Sequence, residues 1–276
     1  MKVKIISDSS SNMFTMEGVD FESVPLRIVT NEKEYVDNTE LDVAAMVDDL
    51  STYKGRSGTA CPGVGDYLTA FEGYDEIYCV TITSNLSGSY NAAMTAKQQY
   101  EEENPGVKVH IVDSLSAGSE MKLHLEKIKK LVHEGKVFET IVKEVEEYKE
   151  KHTRLLFCLE SLHNLANNGR VNPAVAKIAG LVGLRMVGDA TGGVLNPTDK
   201  CRGEKKAVST LFSNMKKAGY NGGKVLIDHC FNNKASEALR ELVLAEFPNA
   251  KVIIERTTAL CSFYAEKGGM IIGYEI

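Results

Sequence analysis

Hydroxyl side chains collect at strand ends along this chain of 276 residues. Ser84, Ser87 and Ser89 fall within Ser84-Asn-Leu-Ser-Gly-Ser-Tyr-Asn-Ala-Ala93, directly after the β-branched and aromatic run Glu76-Ile-Tyr-Cys-Val-Thr-Ile-Thr83. Serines beside a glycine can donate hydrogen bonds to an anion; with a base alongside, one of them can instead act as a nucleophile. Ser7-Asp-Ser-Ser-Ser11 and Asp113-Ser-Leu-Ser116 repeat the polar pattern after other apolar runs, and Thr59 is the central hydroxyl of Ser57-Gly-Thr-Ala-Cys-Pro-Gly-Val-Gly65. Two chemistries therefore compete: anion binding by the serine loop, and ester hydrolysis by Ser87 with His229 as its base. The G-x-S-x-G elbow of many hydrolases is absent, since Asn85 and Ser89 hold the flanking positions.

These groups need elements to hold them. The run before Ser84 reads as a buried strand, and Tyr90, Ala93, Met94 and Lys97 after it recur at helical spacing. Strand, polar loop and helix place the serines beyond the carboxyl end of a strand, where open parallel sheets bind ligands. Unpaired amides at the start of the helix favour an anion there; alternatively, one serine is only a helix cap. Lys2 to Ile6, Phe21 to Val29 and Val107 to Val112 read as further strands, and Leu41 to Leu50, Asp66 to Phe71 and two amphipathic runs before Lys151 as helices. Residues 1–150 are thus expected to form a three-layer α/β/α domain with a parallel sheet. Beyond Lys151, strands at Arg154 to Leu159, Val194-Leu195, Lys224 to Ile227, Lys251 to Glu255 and Met270 to Tyr274 alternate with amphipathic helices. A small-residue helix is expected over Pro173 to Leu184, and residues 151–276 as a whole read as a two-layer α+β domain.

Composition removes several classes. Thirty-eight acidic against 32 basic residues give a net charge of −6 without a basic stripe, which argues against nucleic acid as a partner. No run approaches the ~20 apolar residues of a membrane span, and the chain passes from Met1 into a strand, so a cytoplasmic location is expected. The six cysteines form no C-x-x-C pair and the histidines show no ligand spacing, so neither disulfide, metal nor cofactor is expected.

A series of short motifs then coincides in one order. Ser7-Asp-Ser-Ser10, Thr59-Ala-Cys-Pro-Gly63, Ser84-Asn-Leu-Ser-Gly-Ser-Tyr90, Val112-Asp-Ser114, Leu165-Ala-Asn-Asn-Gly-Arg-Val171 and Arg202-Gly-Glu-Lys-Lys-Ala207 span the chain. Together they resemble the pattern of the DegV family of bacterial fatty-acid-binding proteins. The resemblance implies two domains around one long-chain fatty acid, its carboxylate at the domain interface on Thr59 and Ser87 with the amides around Ser87 and Gly88, and its tail buried in the second domain. It implies no chemistry by the binding protein itself, and in some members presentation of the acid to a separate fatty-acid kinase. Arg170, inside the Gly-Arg motif, is a candidate for contact with an anion or a partner, or for a structural ion pair. The family pattern ends in H-x-G-P-G, whose histidine helps bind the carboxylate, whereas this chain has Cys261-Ser-Phe-Tyr-Ala-Glu-Lys-Gly-Gly269, with Tyr264 at the histidine's place. A phenol donates one hydrogen bond but is neutral at pH 7.

Overall fold

The computed structural model describes residues 2–174 and 183–276. Strand β1 (Val3–Asp8) ends in a single 3-10 turn, Ser9–Ser11, capped by the Asp8 side chain. The strand expected from Phe21 to Val29 is divided at Val24-Pro-Leu26. Proline has no N–H to give a ladder, and the chain leaves one sheet as β2 (Asp20–Val24) and enters another as β3 (Arg27–Thr30). After β4 (Glu34–Val36) the Asp42 side chain caps α1 (Val43–Thr52). Ser57-Gly-Thr-Ala60, a turn by composition, is instead strand β5 (Ser57–Ala60), antiparallel to β3 with Thr59 opposite Ile28.

Helix α2 (Val64–Phe71) precedes β6 (Glu76–Thr81), which is buried throughout. The serine loop then leads into α3 (Ser89–Glu103), and β7 (Lys108–Asp113) leads into α4 (Ser119–His133) and α5 (Phe138–Lys151). The second half runs through β8 (Thr153–Leu159), α6 (His163–Asn167), β9 (Leu184–Asp189), β10 (Asn196–Arg202), α7 (Glu204–Lys217), β11 (Val225–His229), α8 (Asn233–Glu246), β12 (Val252–Arg256), α9 (Ala259–Ala265) and β13 (Met270–Glu275). The helix expected over Pro173 to Leu184 lies mostly outside the described residues, which omit 175–182; Leu184 itself begins β9. Strand β9, which the sequence reading missed, pairs antiparallel with both β8 and β10.

Three sheets result. The first is parallel, in the order β2-β1-β6-β7, with α2 and α3 on one face and α4 and α5 on the other. The second is mixed, in the order β10-β9-β8-β13-β11-β12, with α7 and α8 packed on one face. The small third sheet, β4-β3-β5, shares a hydrophobic core with α1, α6, α9 and the other face of the second sheet.

Helix α4 explains how the two large sheets come together. Its residues from Ser119 to Leu125 are all buried, so it is not a one-faced surface helix but a layer shared by both sheets. At Gly273 on β13 the backbone of Ser119 and Glu120 lies where a Cβ would be, so only glycine allows this approach. All six cysteines are unpaired. Among the described residues, no helix is long and apolar enough to cross a membrane.

Candidate functional site

Between the serine loop, the small sheet and the second sheet lies a cavity with an empty volume of about 710 Å³, part of it open to solvent. Its walls are nearly all apolar. Leu155, Phe157 and Leu159 alternate along β8 and face it together, because a strand points every second side chain the same way. Ile271 of β13, Leu165 of α6 and Leu260 of α9 continue the lining. Gly188 of β9 faces Phe157, whose ring occupies the space a β-carbon would need.

Four polar side chains interrupt this surface: Thr59, Ser87, Arg170 and Tyr264. Three of them are linked, and Ser87 stands next in sequence to Leu86, which Arg170 contacts. The Thr59 and Tyr264 hydroxyls share a hydrogen bond of 2.7 Å, joining the small sheet to α9. The Arg170 guanidinium lies over the Tyr264 ring, 5.8 Å from its centroid, and its Nε donates to the carbonyl of Leu86 at 3.2 Å, beside Ser87. Arg170 is placed by the end of α6, where Gly169 takes φ +73° and Arg170 N returns to Leu165 O at 2.8 Å. Among the described residues no carboxylate pairs with Arg170; its other guanidinium bond goes to the carbonyl of Asn168.

The donor count follows from these bonds. Two hydroxyls that share one hydrogen bond use one proton, so the Thr59–Tyr264 pair keeps a second proton to offer. The Ser87 Oγ accepts from Ser89 N at 3.2 Å, which leaves its own O–H free. Burial pushes the Tyr264 phenol above its ordinary range, so it stays protonated. The cavity thus combines apolar walls with two neutral donors and one guanidinium, a set suited to a carboxylate with a long apolar tail.

Ser84 and Gly88 stand apart from this set, since neither lines the cavity. Ser84 N donates to Asp113 Oδ1 at 3.0 Å, which anchors the start of the loop. Gly88 caps α3 and lets the Cys61 sulfur approach, 3.2 Å from where a Cβ would lie. Beneath the loop, the buried Asp8 carboxylate accepts from Ile82 N at 2.9 Å and from the Ser89 hydroxyl at 2.5 Å; the Ser89 hydroxyl also meets that of Tyr67 at 2.6 Å. Burial raises the Asp8 carboxyl, and the hydroxyl and amide donors around it oppose that rise. The Ser-Asp-Ser-Ser motif therefore supports the serine loop from below and is not a cavity wall.

His229 does not reach Ser87. Its Nδ1 accepts from Asn232 N at 3.0 Å at the end of β11, and it is not among the cavity residues. The sequence reading also missed α9, which brings Leu260, Cys261, Tyr264 and Ala265 to the cavity.

Comparison with known proteins fits this geometry. The family model described as "Uncharacterised protein, DegV family" matches residues 2–275. A DegV domain-containing protein of Streptococcus gordonii is 43% identical over 281 residues, covering all of both chains. Two solved structures are similar over nearly the whole length. One is the Streptococcus pneumoniae fatty acid kinase (Fak) B3 protein loaded with linoleic acid, 42% identical, with TM-score 0.97 and full coverage of both chains. The other is a DegV family protein from Eubacterium eligens loaded with heptadecanoic acid, 41% identical, with TM-score 0.96 and 99% of each chain covered.

Proposed function

This chain belongs to the DegV family, and on that premise we propose that it binds one long-chain fatty acid and presents it to a fatty-acid kinase. The observation that carries the reading is the joining of an apolar cavity to the linked trio Thr59, Tyr264 and Arg170, with Ser87 lining the same cavity. The first half of the chain, residues 1–150, supplies the hydroxyls of Thr59 and Ser87 to the carboxylate; the second half, residues 151–276, supplies most of the tail's walls. The likeness to the fatty acid kinase (Fak) B3 protein supports the kinase as partner.

The energetics suit a carrier. About fifteen methylenes taken out of water at ~0.8 kcal/mol each give roughly 12 kcal/mol before the cost of association and ordering. The carboxylate then needs orientation and a counter-charge. One oxygen takes the free proton of the Thr59–Tyr264 pair and the other that of Ser87. Arg170 supplies the positive charge that a neutral Tyr264 lacks. Nothing in this arrangement is asked to break a bond, and among the described residues no base is hydrogen-bonded to Ser87.

Replacing Thr59 and Ser87 together by alanine is expected to weaken binding of an 18-carbon fatty acid by about 10- to 100-fold per lost charge-assisted hydrogen bond, measured by isothermal titration calorimetry. Unchanged affinity would remove these two hydroxyls from the site. Ester turnover that vanished in Ser87→Ala alone would favour the hydrolase reading instead.

A further inference from the structure

We propose that Asp37 is the positioning residue of the carboxylate site: it fixes the amino end of α9 so that Tyr264 meets Thr59. The inference rests on the fatty-acid reading of the cavity and adds a residue that does not line it. Asp37 follows β4 directly and is 1% exposed. Its backbone N donates to Leu26 O at 3.0 Å, which ties it to the start of β3. Its carboxylate faces α9. Oδ1 accepts from Ala259 N at 2.8 Å and Oδ2 from Leu260 N at 3.1 Å; the Thr258 hydroxyl, whose one proton has Asn12 Oδ1 at 2.9 Å as its nearer acceptor, lies 3.2 Å from Oδ2. Ala259 and Leu260 are the first two residues of the helix, whose amides have no partner within it.

The small sheet therefore grips α9 at both ends. Asp37, at the end of β4, holds the amino end, and Thr59, on β5, holds Tyr264 in the last turn. Seven helical residues span only ~10 Å, so a tilt released at the first grip is felt at the second. The helix between them contributes Leu260, Cys261 and Ala265 to the cavity as well, so its seat sets tail wall and head group together.

A carboxylate is a costly way to fill this space. Among the described residues no cation pairs with Asp37, and burial pushes its carboxyl up to about 6 even against four hydrogen bonds. By accepting from Ala259 N and Leu260 N, Asp37 also caps the helix, which stabilises the fold locally. The two oxygens of a carboxylate meet two successive helix amides from outside the helix, so the same bonds set where the helix points. The groups facing Asp37 are the Thr258 hydroxyl from α9's leading residue, Ser9 from the 3-10 turn and, one residue removed, Asn12 Oδ1, which accepts from Thr258 N at 3.0 Å. Asn12 passes the contact on to Asp228 and Lys122.

The test is a double-mutant cycle on the whole chain with Asp37→Asn and Tyr264→Phe. The readouts are the Kd of oleic acid by calorimetry and the 13C shift of the carboxyl carbon of bound carboxyl-labelled oleic acid. If Asp37 acts through Tyr264, each single variant weakens binding by roughly tenfold, the double is no weaker than the weaker single, and Asp37→Asn and Tyr264→Phe move the carboxyl resonance alike. Multiplying losses, or an unmoved resonance in Asp37→Asn, overturn the proposal. Should Asp37→Asn fail to fold, Asp37→Glu keeps the charge but displaces both oxygens from the helix amides, and it is expected to show the same non-additivity with Tyr264→Phe; additivity there also overturns it. A wild-type chain that takes up no fatty acid defeats the fatty-acid reading itself, and the proposal with it.

Discussion

Lys122→Met is expected to lower the folding stability of the chain by about 3–5 kcal/mol, the usual consequence of stranding a buried charge. Lys122 sits at 2% exposure on α4, and its ammonium donates to Asp228 at 2.8 Å and to Glu255 at 2.5 Å, both on strands of the second sheet. Burial opposes its charge, but the two carboxylates outweigh burial and hold the ammonium above its ordinary pKa. Asp228 is itself 1% exposed, and its other oxygen is taken by Asn12 at 2.7 Å. Without Lys122, an ionised Asp228 would face the apolar interior with only an amide for company. Denaturant unfolding of Lys122→Met, Asp228→Asn and the double variant checks this. The double is expected to recover much of the loss, because both charges leave together. A single-variant loss under 1 kcal/mol would mean that the two large sheets are not joined through this pair.

The second large effect is on affinity. Ala117 lines the cavity on the loop before α4 and is half-buried. Ala117→Phe is expected to send its ring into the tail's space and displace four or five methylenes. At ~0.8 kcal/mol each this forfeits about 3–4 kcal/mol, a loss in affinity of several hundred-fold. The melting temperature of the ligand-free protein should not fall, since the ring fills an existing cavity. Titration of matched 12- and 18-carbon acids separates this from general damage: the shorter acid should lose less. Equal losses for both would place the obstruction at the carboxylate, and no loss would move the tail elsewhere.

Much of this site was legible because its chemistry is local. The serine loop is a contiguous strand-loop-helix signal, and the Gly-Arg pair that sets Arg170 is a helix ending written in one short stretch. What was not legible is what the chain assembles from distant pieces. Helix α9 has no capping residue of its own; its cap is Asp37, 222 residues earlier. Seven residues buried nearly all round show no periodicity to read. Strand β5 is built of Ser, Gly, Thr and Ala, which composition assigns to a turn, and is a strand only because β3 pairs with it. The break at Pro25 was a usable signal, since proline inside an apparent strand argues against continuity. Asp37 reads in the sequence as part of Asp37-Asn-Thr-Glu40, the lead-in to the helix expected over Leu41 to Leu50; that helix is capped by Asp42 instead, and nothing local to Asp37 points to α9.

Native mass spectrometry of the purified chain, followed by denaturation and solvent extraction, tests the central claim most directly. The account predicts one long-chain fatty acid per chain, either retained from the expression host or taken up stoichiometrically in vitro, and released only on unfolding. A chain that is empty as purified and takes up no fatty acid when offered would contradict it.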